Sequence, residues 1–443
     1  MKSLTTDFKD VKRVGIFGLG ISNIGVLRFL SGRGDFDFIL RSERSPDRSV
    51  TDNFRFSGIL TGADAFKPPF EDILFLSPSV NRRRREVAEL LAHGVRLTSD
   101  AELFFELADR PVFAVTGSDG KSTATELTSL LLSERQTAKK CGNCGVSMLS
   151  ALSEGADLFV SELSSFMLDG FSPRCERAII TSFSENHLDF HGSAEAYLAA
   201  KENIYKSCRE CVISADLDFS KSLIKKYKPY AVVSQKRSFS ELKSTKAELI
   251  LTLRDGEIER NGQPMLKISD IRRKESYNIA NFMSAMALAD GYFSSEHLRD
   301  TARSFRGLSH RCESIGVFGG VEYIDSSVDS SPARTAATLE GLGRRVILLL
   351  GGRGKGLSYE PLSEPVAKYA AAVIIGGENR EEIKCALAGC NIPIYTADTL
   401  REQIEVAKAK ASFGDTVLLS PASASFDQFE NFEERANYFK SQL

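Results

Sequence analysis

The sequence predicts an α/β protein of three domains in series: Rossmann-like over residues 1–97, a central P-loop domain with a mostly parallel sheet over 98–305, and a second Rossmann-like domain over 306–443. Three observations carry this. At 443 residues the chain is too long for one compact core, and domains of roughly 100–200 residues imply about three. Short β-branched runs alternate with helix-length amphipathic stretches along almost the whole chain, as helices layered on parallel sheets require. Glycine turns follow strand candidates at Gly18 and Gly20, and again at Gly117 and Gly120, where open α/β sheets receive ligands.

The first block offers buried strands at 14–17, 38–40, 73–76 and 95–97. The second runs through 112–115, 158–160, 178–180, 211–213 and 231–233, then breaks into an antiparallel pair at 249–253 and 265–268. Turn signals stand at Asp255-Gly256 and Asn261-Gly262. A helix over about 277–290 closes the block, and the Gly307 region reads as a hinge. Five further strands, at 321–324, 346–350, 373–375, 392–395 and 417–419, are separated by helices such as 400–411.

Composition bounds the function. Apolar content of 42% and charged content of 26% exclude disorder as the main state. Lys+Arg 57 against Asp+Glu 59 leaves a net charge of -2, so no overall basic field draws nucleic acid or an anionic membrane, and any anion site must be local. The N-terminal segment carries acids where a signal peptide needs an apolar stretch, and no apolar run reaches the ~18 residues of a membrane span. A cytoplasmic chain without membrane insertion is expected. Eight cysteines are sparse for a disulfide scaffold. The pairs Cys141/Cys144 and Cys208/Cys211 lie too far apart for a zinc ribbon and read as reduced, partly buried thiols. The run Arg82-Arg83-Arg84-Arg85, followed by Glu86 and Glu89, reads as a solvated helix start.

The sharpest local signal is strand 112–115 leading into Thr116-Gly117-Ser118-Asp119-Gly120-Lys121-Ser122-Thr123 and then an apolar helix. Backbone N–H groups of such a turn, with the positive end of the helix, cradle phosphate oxygens; Lys121 adds a cation and Ser122 a hydroxyl for Mg²⁺. This is the signature of a nucleoside triphosphate site, two residues shorter than the general P-loop spacing. At Gly18-Leu19-Gly20-Ile21-Ser22 the dinucleotide fingerprint fails, because Asn23 stands at its third glycine and Arg41 near the place of the acidic ribose ligand. The diphosphate of another nucleotide, or a tight turn without ligand, remains. Glu162 and His187 follow two later strands, so both can face the phosphates with Ser122, and such ligands suit Mg²⁺ or Mn²⁺. His187 and His191 are four apart but too few for zinc.

Further stretches extend the pattern over the whole length: Ser77-Pro78, Gly142-Asn143, Glu162-Leu163-Ser164-Ser165-Phe166, His187-Leu188-Asp189, Ala200-Lys201, Asn278 with Asn281, His310-Arg311, Gly354-Lys355-Gly356, and the run from Ser420 through Ser425 to Phe432. Together they resemble the Mur ligases, ATP-dependent amide-bond-forming enzymes of peptidoglycan precursor synthesis. The resemblance implies a catalytic set of Lys121, Glu162, His187, Lys201 and Arg311. It implies ATP contacts from Gly117, Ser118, Asp119, Gly120, Lys121, Ser122, Thr123, Asn278, Asn281, Arg311 and Asp325. Metal ligation would come from Ser122, Glu162, His187 and, if carbamylated, Lys201. The UDP-linked substrate would meet Gly18, Leu19, Gly20, Ile21, Ser22, Ser42, Ser77, Pro78 and Asn143, and the amino acid Lys355, Ser425 and Phe432. Blander readings stand beside these: a plain surface lysine at 201, a helix cap at Asn278, and a helix-capping hydroxyl at Ser425.

The reaction implied by the resemblance joins D-glutamate to UDP-N-acetylmuramoyl-L-alanine through an acyl phosphate, with ATP and Mg²⁺, in a monomer. A sister Mur ligase or a folylpolyglutamate synthase would keep the chemistry and change the acceptor, and the 420–432 run argues against both. A regulatory P-loop module explains the 117–122 loop alone. Departures from the family pattern are Met167 for Gln, Arg353 for Asp, and Asp325-Ser326-Ser327-Val328-Asp329 for Asp-Ser-Lys-Ala-Thr. Arg41 replaces a uridine-side Asp, so contacts there are expected to differ, with Ser42 offering a hydroxyl.

Overall fold

The computed structural model describes residues 8–43, 45–46, 51–68, 70–185, 187–354 and 356–443. The chain forms two compact units, Met1–Phe305 and Arg306–Leu443, and the described residues build three sheets, two in the first unit and one in the second.

The first sheet joins β1 (Arg13–Phe17), β2 (Asp37–Ser42), β3 (Phe56–Thr61), β4 (Ile73–Leu76) and β5 (Arg96–Thr98), all parallel, in the order β3-β2-β1-β4-β5. Val14, Ile16, Leu40 and Phe75 fill its interior. The strand order reverses beside β1, so the turn at Gly18 opens at the crevice where such sheets bind ligands. Asn23, which spoils the dinucleotide fingerprint, donates its amide to the carbonyls of Phe17 and Gly18, both at 2.9 Å, and so stitches that turn shut.

Arg41 is not a base contact. Its side chain is fully buried and donates to both oxygens of the equally buried Glu71, and to the carbonyls of Ala65 at 2.8 Å and Lys67 at 3.0 Å. A charge taken from water must be answered by a partner and by hydrogen bonds, and Arg41 receives both. Gly15 makes room: a Cβ there would collide with the Glu71 carboxylate.

The second sheet contains β6 (Val112–Thr116), β7 (Ala138–Gly142), β8 (Leu158–Glu162), β9 (Arg177–Ile180), β10 (Glu210–Ser214), β11 (Ala231–Ser234), β12 (Leu249–Arg254), β13 (Glu257–Arg260) and β14 (Gln263–Lys267). Its order is β14-β13-β12-β11-β10-β9-β6-β8-β7, parallel except for the β12-β13-β14 meander. The two turn signals read from the sequence flank β13, whose Glu-Ile-Glu-Arg composition hides it. Since β6 lies between β8 and β9, with Val115 beside Glu162 and Thr116 beside Ile180, the segments that follow all three strands emerge side by side.

The arginine run does lead into a helix, Arg85–Ala92 with Arg84 as its cap, and Arg83 and Arg85 are exposed. Three of the four are nonetheless paired: Arg82 forms a two-pronged pair with Glu102, Arg83 reaches Asp169 at 2.5 Å, and Arg84 pairs with Glu43, just past β2. Arg82 and Arg83 thus link the segment after β4 to elements beyond the first sheet. Asp100 adds a second tie. Buried at 2% exposure, it accepts from Met148 N at 3.0 Å and Leu149 N at 3.1 Å, and lies 3.4 Å from Ser147 Oγ, covering the start of the helix Met148–Glu154. Burial pushes its carboxyl up to about 6, against the pull of those donors. Asp100→Ala strands buried donors, so a loss of about 1–3 kcal/mol in urea unfolding is expected. An unchanged midpoint would mean that the donors find other partners.

The second unit holds β15 (Glu313–Phe318), β16 (Val321–Asp325), β17 (Val346–Gly351), β18 (Ala370–Gly376), β19 (Ile394–Thr396) and β20 (Thr416–Leu419), in the order β15-β16-β20-β17-β18-β19 with only β15 antiparallel. Asp325, Gly351 and Ser420 therefore lie along one edge, at or just past the ends of parallel strands. Among the described residues no helix is long and apolar enough to cross a membrane.

Candidate active site

The turn after β6 enters the helix Lys121–Leu132 through Gly120, held in the left-handed region at φ 78°. A side chain at Gly120 would collide with the Asn281 amide, so glycine lets that distant asparagine press against the loop. The segment after β9 straps the loop from the other side. Ser118 Oγ donates to Ser184 O at 2.9 Å and accepts from Ser184 N at 3.0 Å, and Asp119 N donates to Ser182 Oγ at 2.8 Å. Lys121 Nζ donates to the carbonyls of Gly117 at 2.9 Å and Ser118 at 2.8 Å, which poises its ammonium over the turn. Ser122 and Thr123 follow in the first helical turn.

Lys201 is no surface lysine. It lies on the helix Ala194–Lys206, is 1% exposed, and donates to Gly117 O at 2.7 Å, the same carbonyl that Lys121 uses. Its Nζ stands 4.5 Å from the centre of the Tyr197 ring. Burial first, and the Lys121 charge second, bring its amine down to about 7, with Asp119 pulling the other way. Two lysine amines thus converge on one loop carbonyl beneath the turn.

Glu162 ends β8 and is buried. Its Oε1 accepts from Asn143 Nδ2 at 2.8 Å, while its Oε2 is buried with no hydrogen-bond partner among the described residues. Such an orphaned carboxylate oxygen beside a phosphate loop fits a divalent cation. Asn143, read from the sequence as a substrate contact, here orients Glu162. His187 sits at φ 54° before the short helix Leu188–His191, exposed, with its ring 4.8 Å from that of Phe166. The buried His191, which the sequence weighs only with His187 as too small a zinc set, is stacked on Phe166 and stands 3.0 Å from Ser165 Oγ; nothing in its spacing announces those partners.

Asn278 does not cap its helix. The cap of Ser276–Leu288 is Glu275, and Asn278 lies buried one turn in, donating to Glu275 Oε2 at 2.9 Å. In the first sheet's crevice, Ser22, Ser77 and Pro78 line a narrow cleft together with Arg82, Phe166 and Met167. Gly18 N donates to Arg41 O at 2.8 Å, Leu19 and Gly20 complete the turn, Ile21 opens the next helix largely exposed, and Ser42 ends β2. The cleft thus collects substrate candidates from the first sheet and the segment after β8, and its lining does not include Ser42.

In the second unit Asp325 is fully buried. It accepts from Ser327 N at 2.9 Å and Ser327 Oγ at 2.5 Å, and its Oδ2 lies 2.7 Å from His310 Nδ1. Asp329 is buried and accepts from Thr338 and Ser420 hydroxyls, each at 2.8 Å, while Arg353 pairs with Glu378 on the surface. Ser425 is buried in the turn before the helix Phe432–Ser441, and Phe432 lies with its ring 6.1 Å from His310. Lys355 falls outside the described residues.

Comparison with known proteins bears on this geometry. Residues 115–289 match the Mur ligase middle domain and residues 310–423 the glutamate ligase domain of Mur ligases. The UDP-N-acetylmuramoylalanine–D-glutamate ligase of Acetivibrio thermocellus is 35% identical, over 99% of this chain and 98% of its own. The chain belongs to the Mur ligase family. The enzyme of the same name from Ruminiclostridium cellulolyticum is 34% identical to this Mur ligase, over 98% and 97% of the two chains. Among solved structures, UDP-N-acetylmuramate-alanine ligase MurC from Thermotoga maritima superposes with a TM-score of 0.62 at 18% identity, covering 98% of this chain and 99% of its own. MurF ligase from Thermotoga maritima, in complex with ADP, gives 0.55 at 16% identity over 98% and 96%. At such identities the structural likeness concerns the fold.

Proposed function

We propose that this Mur ligase joins D-glutamate to UDP-N-acetylmuramoyl-L-alanine at the expense of ATP, releasing ADP and phosphate, in cytoplasmic peptidoglycan precursor synthesis. Residues 1–97 take the UDP-linked substrate, 98–305 take ATP, and 306–443 take the amino acid. The observation that carries this reading is Lys201, a buried lysine bonded to the phosphate-loop carbonyl of Gly117, in a chain that matches D-glutamate ligases over nearly its whole length.

A carboxylate is a poor acyl donor in water, so the substrate carboxylate first attacks the γ-phosphate of ATP, giving an acyl phosphate and ADP. The D-glutamate amine then attacks the acyl carbon, and the tetrahedral intermediate expels phosphate. The loop 117–123 cradles the triphosphate, Lys121 and Arg311 offset charge gathering on the transferring group, and Asn278, Asn281 and Asp325 hold the nucleoside. Mg²⁺ would be held by Ser122, Glu162, His187 and a carbamylated Lys201, where it neutralises phosphate charge; the orphaned Glu162 oxygen supports that assignment. Ser22, Ser77 and Pro78 bind the UDP-linked substrate in their cleft, and Lys355, Ser425 and Phe432 receive D-glutamate, a dicarboxylate that needs a cation and aligned donors.

The test is phosphate release from ATP and Mg²⁺ with UDP-N-acetylmuramoyl-L-alanine, comparing D-glutamate, L-glutamate, L-lysine, meso-diaminopimelate and no amino acid. Release that requires D-glutamate, with the amide product seen by mass, is expected. Dependence on another amino acid would move the chain to a sister ligase, and release that needs no acceptor would overturn the reading.

A further inference from the structure

In the second unit Arg311 stands between two non-glycine residues in the left-handed region, His310 at φ 61° and Cys312 at φ 48°. Such a conformation persists only where surrounding contacts over-determine it. Those contacts are specific. His310 N donates to Glu313 Oε2 at 2.8 Å, Cys312 N to Ser326 Oγ at 3.0 Å, and Val328 N to His310 O at 3.2 Å.

Glu313 and Asp325 face each other directly across the antiparallel β15–β16 pair. Like charges in that position repel, and a cation placed between them relieves the repulsion. His310, Glu313 and Asp325 bring three ligand atoms within 4.8 Å of one another, a grouping that would suit a divalent ion. Lys440, in the last turn of the helix Phe432–Ser441, places Nζ 2.9 Å from Glu313 Oε2 and 3.9 Å from Asp325 Oδ2. Partial burial notwithstanding, the bonds from His310 N and Lys440 hold the Glu313 carboxyl below the usual range.

We propose that Lys440 is a positioning residue for phosphoryl transfer: by neutralising Glu313 it keeps that carboxylate turned onto His310 N, and so holds the strained turn that presents Arg311. The proposal rests on the role assigned to Arg311 above. Without the ammonium, Glu313 and Asp325 repel across the strand pair, Glu313 swings to solvent, and the turn loses the bond that maintains its shape. A misplacement of about 1 Å in a group acting on the transition state costs up to about 10²-fold.

The experiment measures kcat, KM for D-glutamate and Tm for Lys440→Met, Lys440→Arg, Glu313→Ala and the Lys440→Met/Glu313→Ala double variant of the full chain. Lys440→Met is expected to lower kcat about 10–100-fold, with KM for D-glutamate within about twofold and Tm within about 3 °C. Lys440→Arg recovers kcat to within about threefold of wild type, and the double variant is no worse than Lys440→Met, because both changes break one link. A Lys440→Met enzyme with wild-type kcat, losses that multiply in the double variant, or a loss confined to KM would each overturn the proposal. If Lys440→Met unfolds, Glu313→Ala, which removes the acceptor from His310 N, must reproduce the kcat loss, and wild-type kcat there overturns it equally. Each figure is a ratio to wild type. A wild type that required a different acceptor would thus overturn the proposed substrate, while the ratio would still be read with that acceptor.

Discussion

Lys121→Ala is expected to lower D-glutamate-dependent phosphate release by about 10²–10³-fold while Tm stays within about 2 °C. The fold should tolerate the change because the turn is separately strapped by Ser118 to Ser184 and by Asp119 to Ser182. The catalytic loss arises because an ammonium poised over the loop needs no reorganisation when charge gathers on the transferring phosphoryl group. A second effect accompanies it. The Lys121 charge helps to depress Lys201, so its removal lets Lys201 hold its proton to higher pH. Lys121→Arg separates the two: it retains the charge but replaces a compact ammonium with a planar fork. If Lys121→Ala keeps more than about a tenth of wild-type turnover, the phosphate assignment of the loop fails, since loss of one such donor costs at least about 10²-fold.

What the sequence disclosed depended on whether the relevant residues were contiguous. Strands buried on both faces, such as β6 with Val112, Phe113, Ala114 and Val115, read as apolar runs and were legible. The phosphate loop was legible for the same reason: its glycines, Lys121 and Ser122 stand in one stretch between a strand and a helix. Strands β3, β7, β13 and β15 were not, because they lie at or near sheet edges and carry polar or glycine residues among their apolar ones. The arginine run reads as the helix start that it is, but its partners Glu102 and Asp169 are distant in sequence, and local charge density carries no sign of them. Arg41 is the same case in the core, since Glu71 lies 30 residues away. The approach of Asn281 to Gly120, and of Lys201 to the Gly117 carbonyl, likewise belongs to tertiary packing. Only the family resemblance pointed to those two residues, and it gave neither their burial nor their partners.

The burial of Lys201 makes its modification a measurable matter. A carbamate forms when a neutral amine attacks CO₂, the nitrogen gaining a carboxylate and losing a proton. An amine brought down to about 7 is ~90% neutral at pH 8, whereas an ordinary lysine at that pH is under ~1% neutral. The product suits its surroundings better than the parent does. The carbamate N–H still donates to the Gly117 carbonyl, and the Lys121 ammonium, which disfavours a second cation, now faces an anion. We therefore expect ¹³C-bicarbonate to label the protein with one carbamate signal that grows as pH rises through about 7, and that is absent from Lys201→Met. Turnover should fall in CO₂-free buffer and return on adding bicarbonate. Lys201→Arg, which preserves charge but cannot form the carbamate, should lose about 10²-fold or more if the new carboxylate supports the transferring phosphoryl group. Stability supplies an independent sign. With the folded amine lowered and the unfolded one ordinary, the unmodified protein gains stability as pH climbs from about 7 toward 10.5, and below 7 it bears the full cost of a buried ammonium. If no label attaches, and Lys201→Arg keeps more than half of wild-type turnover, Lys201 acts as an unmodified donor beneath the loop and the carbamate has no part in the reaction.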